Sequence, residues 1–268
     1  MPTVTIDDKP CQAQIGETIL QVARRNGFWI PTLCHHDALP SYAACRICVV
    51  EIDRGGWWQV VTSCNYPIRG DLTVRIDSER AIRGRRGVMQ LLLARCPESV
   101  ELARLAARMG VRSTPYPKVT EAQRNCILCG LCVRVCDELI GASAIARAGR
   151  GVERAIAAPF RMPSEDCIGC GACAAICPVG TIVVRMHEEE VEISPFKTRV
   201  KLKRCAACGE PIGSELVQQA LARRGGPKVV ELLAREEFCP RCKRKKLAKE
   251  LTAAVPRAGS GQSVSQRS

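Results

Sequence analysis

Two stretches decide how this chain is read: CILCGLCVRVC from Cys126 to Cys136, and CIGCGACAAICP from Cys167 to Pro178. Each has the form C-x2-C-x2-C-x3-C. This is ligand spacing for cubane [4Fe–4S] clusters, and the reason is geometric. A cubane takes thiolates from several directions, so three come from one tight loop and the fourth from elsewhere. Gly130, Gly169 and Gly171 remove side chains where backbone must approach the inorganic core and turn N–H groups toward sulfur. Zinc sites or disulfides are the competing explanation, and two full quartets at this spacing weigh against it.

The pattern resembles that of two-cluster bacterial ferredoxins, in which the fourth cysteine of each run ligates the other cluster. The resemblance implies one cluster on Cys126, Cys129, Cys132 and Cys177, and a second on Cys136, Cys167, Cys170 and Cys173. It extends past the cysteines. Thr120 to Ile193 resembles the ferredoxin module of [FeFe]-hydrogenases and of diaphorase small subunits, including the insertion from Cys132 to Phe160. Helices are expected after each cysteine loop, a turn at Gly149-Arg150-Gly151, and a hairpin from Ile182–Met186 and Val191–Ser194. No Walker pattern occurs, nor a G-x-G-x-x-G between strand and helix, so no nicotinamide or Rossmann flavin site is expected.

Composition agrees with a metal-built chain. Eighteen cysteines in 268 residues accompany only 4% aromatics, and small metal modules need little apolar core. No basic-then-apolar leader and no apolar run of membrane length are seen, which points to a reducing cytoplasm where clustered cysteines bind metal. The formal charge of +13 ignores cysteinate. Three oxidised iron–sulfur centres and one tetrathiolate zinc, each carrying about −2, leave roughly +5.

The N-terminal region reads as strands at Thr3–Ile6 and Cys11–Gln14 joined at Asp7-Asp8-Lys9, then a helix opened by Thr18 and closed by Gly27. A hairpin follows, Cys48–Ile52 with Trp57–Thr62 around Arg54-Gly55-Gly56, and a last strand at Leu72–Ile76. This order is that of a β-grasp ferredoxin. Cys34, Cys45, Cys48 and Cys64 are spaced C-x10-C-x2-C-x15-C. PTLCHHDALPSYAACRICVVEI resembles the [2Fe–2S] domain shared by the large iron–sulfur subunit of complex I, NAD-linked hydrogenases and formate dehydrogenases, which implies that these four are its ligands. His35 and His36 invite a Rieske reading, but with four cysteines present they read as polar loop residues near the cluster. Cys11 reads as a buried small residue.

Ser78 caps an expected helix over Glu79–Ala94, and Pro97 starts a second that reaches Met109. Val88, Leu91 and Leu92 are expected to face inward, with Arg80, Arg83, Arg85 and Arg86 on a solvated basic face. In complex I and [FeFe]-hydrogenase relatives, similar sequence leads into a His- and Cys-ligated cluster. Here LLLARCPESVELARLAARMG keeps Cys96 alone, so no cluster is expected in this segment. Near the C-terminus, Cys205-x2-Cys208 and Cys239-x2-Cys242 make a four-thiolate site for structural zinc or, as in rubredoxins, a single iron. Phe238 is the one aromatic between the knuckles, and Ser214–Arg235 looks helical, which favours zinc. Lys243 to Lys246 opens a basic helix, and the sequence after Ala254 reads as disordered.

The chain is therefore expected to be modular α+β: a β-grasp [2Fe–2S] domain over 1–77, a helical linker over 78–118, and a two-cluster [4Fe–4S] ferredoxin domain over 119–196. A small four-cysteine metal module over 197–252 and a tail over 253–268 complete it. The resemblance implies a non-catalytic electron-transfer subunit of a hetero-oligomer. Its partners would be an NAD(P)H-oxidising flavoprotein and a catalytic subunit of hydrogenase, formate dehydrogenase, heterodisulfide-reductase-like or benzoyl-CoA-reductase type. A self-contained redox enzyme would need a flavin or substrate pocket. A nucleic-acid binder would pair its basic groove with stacking aromatics, which are scarce here. Anaerobically purified chain should hold about ten iron atoms and about one zinc by elemental analysis. About two iron atoms would mean that the central runs carry no cubanes.

Overall fold

The first sheet follows from alternation. In strand β1 (Thr3–Ile6) Val4 and Ile6 are fully buried while their neighbours are not. Asp7 and Asp8 take φ of 43° and 65° and form a two-residue turn of the kind that matches strand twist. Strand β2 therefore starts at Lys9 and runs to Gln12, two residues earlier than expected. Pro10 lies within it, paired with Thr5, and is tolerated because β2 is an edge strand. This is a computed structural model, and it describes residues 1–120, 125–234 and 237–254.

Helix α1 (Ile19–Arg25) is capped as the sequence implies. The Thr18 side chain accepts from the Gln21 N–H, and the Gln21 side chain accepts from the Thr18 N–H at 2.8 Å. Gly27, at φ 79°, follows the helix. Strands β3 (Val49–Asp53) and β4 (Trp58–Thr62) pair antiparallel, and Asp53 accepts from the Gly55 and Gly56 N–H groups in the turn. Strand β5 (Leu72–Arg75) pairs parallel with β1 and antiparallel with β3, giving the order β2-β1-β5-β3-β4. Ile19, Leu20 and Val22 of α1 bury against Val4, Val50, Ile52 and Val74. This is the β-grasp arrangement.

Helix α2 (Glu79–Arg95) is capped by Ser78. Helix α3 (Val100–Arg108) is capped by Ser99 and leaves Pro97 outside. A hydroxyl that accepts from the Leu102 N–H at 3.2 Å outcompetes proline as a start signal. The inward face of α2 also differs from expectation. Ala81, Arg85, Met89 and Ala94 are buried, whereas Leu91 is exposed. The helix packs on β3 and α3 together, and that double contact sets its rotation.

Helix α4 (Leu131–Arg134) runs on as a π-helical segment, Val135–Ile140, ended by Gly141 at φ 69°. Strands β6 (Ala146–Ala148) and β7 (Ala155–Ala157) form a hairpin across the expected Gly149–Gly151 turn. Helix α5 (Ala172–Ala175), β8 (Val183–Met186), β9 (Glu190–Ser194), β10 (Thr198–Arg204) and β11 (Pro211–Ser214) follow. Helix α6 (Glu215–Ala234) is interrupted at Gly226, before Pro227, and α7 spans Pro240–Ala254. The tail beyond Ala254 lies outside the described residues.

The chain divides into two units. The first comprises Met1–Cys167, Gly171–His187 and Glu192–Arg199, and the second Ile168–Cys170, Glu188–Val191 and the chain from Val200. In the first unit a single apolar cluster joins Leu33, Cys34, Cys45 and Ile47 to Met89, Leu102 and Ala106, and onward to Ile127, Cys129 and Leu131. In the second, β10 pairs antiparallel with β11. Among the described residues no helix is long and apolar enough to cross a membrane. Met89 has no exposed surface. Met89→Ala should cost about 2–5 kcal/mol, read as a lower denaturation midpoint of the loaded chain.

Candidate iron–sulfur sites

Cys34, Cys45, Cys48 and Cys64 are all buried, Cys48 and Cys64 in the core of the β-grasp sheet and Cys34 and Cys45 in the apolar cluster shared with α2 and α3. Pairing of β3 with β4 sets Val49 opposite Thr62, so the residues just outside the ladder, Cys48 and Ser63, come together. The Ser63 hydroxyl and N–H both donate to the Cys48 carbonyl, at 2.8 and 3.1 Å. The Cys45 N–H donates to the Cys34 sulfur at 3.3 Å. The thiols interact in two pairs. A hydrogen bond from the Cys34 thiol brings Cys45 down to about 6 against the opposing effect of burial, aided by N–H groups of Ile47, Cys34 and Leu33. Cys64 likewise brings Cys48 down to about 7. The donating partners, Cys34 and Cys64, move up. Four sulfurs predisposed to share charge, with N–H groups aimed at them, fit a thiolate-ligated cluster.

His35 is used by the loop itself. Its Nδ1 lies 3.1 Å from the Ser41 hydroxyl and its Nε2 3.3 Å from Asp37. Burial shifts it downward. Cys11 is 2% exposed, and its thiol points to the Lys9 carbonyl.

Cys126, Cys129, Cys132 and Cys177 line one pocket, with Arg95, Ile127, Thr181 and Phe196 also in its wall. Burial raises Cys126, moves Cys129 up to about 12, and raises Cys132. Loading a cluster here must therefore release protons. Two N–H groups already face sulfur: Leu128 donates to Cys126 at 3.4 Å, and Leu131 bonds Cys129. Gly130, at φ 77°, starts α4. A Cβ there would sit 1.9 Å from the Arg147 guanidinium. The crowding comes from that arginine, which also lies 5.0 Å from the Tyr42 ring. Tyr42 belongs to the ten-residue spacer between Cys34 and Cys45, and Arg134 of α4 donates to the Pro40 carbonyl of the same spacer at 2.7 Å.

Of the other expected quartet, Cys136, Cys167 and Cys173 pack against Ile145, Ile182, Ile193 and Phe196 of the first unit. Cys170 is exposed and belongs to the second unit. Gly169, at φ 70°, has no room for a side chain: a Cβ would meet Val191 at 3.0 Å and Val200 at 3.1 Å.

Cys205, Cys208, Cys239 and Cys242 place their sulfurs within 4.8 Å of one another. The Cys208 and Cys239 sulfurs are 3.7 Å apart. Tetrahedral thiolates at ~2.3 Å from a metal stand ~3.8 Å apart, so the separation suits an ion. The knuckle closes through Gly209 N–H to Cys205 carbonyl at 2.9 Å, and Ala206 N–H reaches the Glu237 carbonyl at 2.8 Å. Burial opposes ionisation of Cys205, but N–H groups of Cys239, Ala207 and Cys208 carry it down to about 6.

Cys96 carries more than its isolated position implied. It is fully buried at the end of α2, in the apolar cluster that holds Cys129, and burial followed by Cys126 moves it up to about 12. Sequence reasoning also missed Arg95 and Arg147, whose contacts lie far along the chain.

The β-grasp sheet, the paired cysteine loops and the C-terminal knuckles define a modular iron–sulfur protein. Residues 1–79 match the 2Fe-2S iron-sulfur cluster binding domain, and residues 125–181 and 166–212 match the 4Fe-4S dicluster domain. The chain is 32% identical over 220 residues to the NADP-reducing hydrogenase subunit HndD of Solidesulfovibrio fructosivorans, covering 71% of this chain and 37% of the relative. It is 28% identical over 208 residues to the mitochondrial NADH-ubiquinone oxidoreductase 78 kDa subunit of Candida albicans, covering 69% and 28%. It thus spans well under half the length of these curated relatives. A chain of the crystal structure of the NAD+-reducing [NiFe]-hydrogenase in the H2-reduced state matches at a TM-score of 0.55 and 30% identity, over 67% of this chain and 85% of that one. The chain belongs to the family of iron–sulfur electron-transfer subunits that set a 2Fe–2S domain ahead of a 4Fe–4S dicluster domain.

Gly130→Ala should lower the iron content and the [4Fe–4S] EPR signal while leaving the [2Fe–2S] absorbance. The cause is the left-handed backbone at φ 77°, which a side chain strains even if Arg147 moves aside; equal loading of variant and parent would show that the loop absorbs that strain.

Proposed function

We propose that the chain relays single electrons within a cytoplasmic multi-subunit oxidoreductase, through a [2Fe–2S] cluster on Cys34, Cys45, Cys48 and Cys64 and two [4Fe–4S] clusters. The first cubane is assigned to Cys126, Cys129, Cys132 and Cys177, and the second to Cys136, Cys167, Cys170 and Cys173. The observation that carries this reading is the shared apolar cluster. Cys34 and Cys45 from one loop and Cys129 from another are buried in the same packed core, and Cys45 acts electrostatically on Cys129. Centres held by such loops are close, fixed and shielded from water, which is what single-electron exchange requires.

When bound, each cluster supplies one-electron redox chemistry. The protein's part is to orient the thiolates, point N–H groups at sulfur and exclude solvent. The Cys205–Cys242 site is assigned to structural zinc, with a single iron as the alternative. An NAD(P)H-oxidising flavoprotein is proposed as one partner and a catalytic redox subunit as the other. The relatives' names support that reading: NADP-reducing hydrogenase, NADH-ubiquinone oxidoreductase and NAD+-reducing [NiFe]-hydrogenase. Cys132→Ala in the intact complex should remove one [4Fe–4S] EPR signal and stop NADH-driven reduction of the catalytic partner. Unchanged turnover would remove that cluster from the route.

A further inference from the structure

We propose that helix α2 sets the redox potentials of two clusters at once, through Arg85 at the [2Fe–2S] site and Arg95 at the first [4Fe–4S] site. This rests on the ligand reading above. Both arginines make the same contact. Arg85 Nε donates to the carbonyl of Val49, the residue after Cys48, at 2.8 Å. Arg95 Nε donates to the carbonyl of Cys126 itself at 2.7 Å. Ten residues separate them, about 15 Å along a helix axis, so one rigid element reaches both loops.

Arg85 was expected on a solvated face, yet it is 5% exposed. Its Nη2 has no hydrogen-bond partner, and its carboxylate neighbour, Asp77, stands 3.7 Å away and is itself largely exposed. A guanidinium buried with so weak a partner is costly. A net-negative cluster on Cys48 and its companions supplies the missing counter-charge. Arg95 is half-buried and forms part of the wall of the pocket that Cys126, Cys129, Cys132 and Cys177 line. Its Nη2 lies 3.4 Å from the Arg154 carbonyl.

Reduction adds one negative charge to a cluster. A fixed cation beside it, in a site that water screens poorly, favours the reduced form and raises the potential. Neither arginine ligates iron; both are positioning residues that hold a loop carbonyl and supply charge.

The test uses the full chain, purified anaerobically with its clusters, in redox titrations followed by EPR. The signal of the first cubane is the one that Cys129→Ala removes. Arg85→Gln should lower the potential of the [2Fe–2S] centre alone, and Arg95→Gln that of the first [4Fe–4S] centre alone. Arg85→Lys and Arg95→Lys, which keep the charge, should stay near the parent. Unmoved potentials in glutamine variants that retain iron, or a shift of both centres by either one, overturn the proposal. If a glutamine variant fails to load, the lysine variant at that position must load with a parental potential; failure of both assigns that arginine to packing and overturns the proposal. Parent chain lacking either signal would instead overturn the ligand reading, and this inference with it.

Discussion

Apolar packing between the two N-terminal cysteine loops is the constraint on which the first unit depends. Ile47 stands between Cys45 and Cys48, Ile127 between Cys126 and Cys129, and both bury in one cluster with Met89 of α2 and Leu102 of α3. Neither loop can bury its apolar side chain alone. The helices between them in sequence supply the missing surface, at about 25 cal/mol for each Å² removed from water. The segment expected to be a linker is thus the shared wall of two candidate cluster sites. Polar contacts reinforce the same junction: Ser99 donates to the Val179 carbonyl at 2.9 Å, and Arg134 to that of Pro40.

Charge follows from this geometry. Burying many thiols among apolar residues keeps most of them protonated in the absence of iron, as burial does for Cys126, Cys129 and Cys132. Bound iron would replace those protons and leave the sites anionic. The basic excess of the sequence then has a local use as well as a general one, since arginines of α2 and of β6 reach the cysteine loops while others stay in solvent.

What could be read from the sequence was what chemistry ties to short sequence distances. The C-x2-C spacing marked the Cys205, Cys208, Cys239 and Cys242 knuckles, whose sulfurs lie together, and Thr18 marked the start of α1, because both signals act within a few residues. Misreadings arose where a distant partner decides. Strand β2 begins two residues earlier than expected because its pairing with β1 at a sheet edge admits Pro10. Arg85 fits a helical basic stripe, and only the Val49 carbonyl on β3 explains its burial. At Gly130 a distant residue adds a second demand for glycine, since Arg147, seventeen residues on, occupies the place a Cβ would take. No local pattern announces such a contact.

Cys96 is a cysteine held by packing. It terminates α2 with no exposed surface, and its neighbours in the core include Cys129. Burial and the nearby Cys126 both disfavour its thiolate, so at neutral pH it remains a thiol. A protonated, buried cysteine behaves as a small apolar side chain. Such a residue adds cohesion where a further ligand would have added charge. Core side-chain size at Ile47, Met89 and Ile127 therefore bears on the stability of both cysteine loops together.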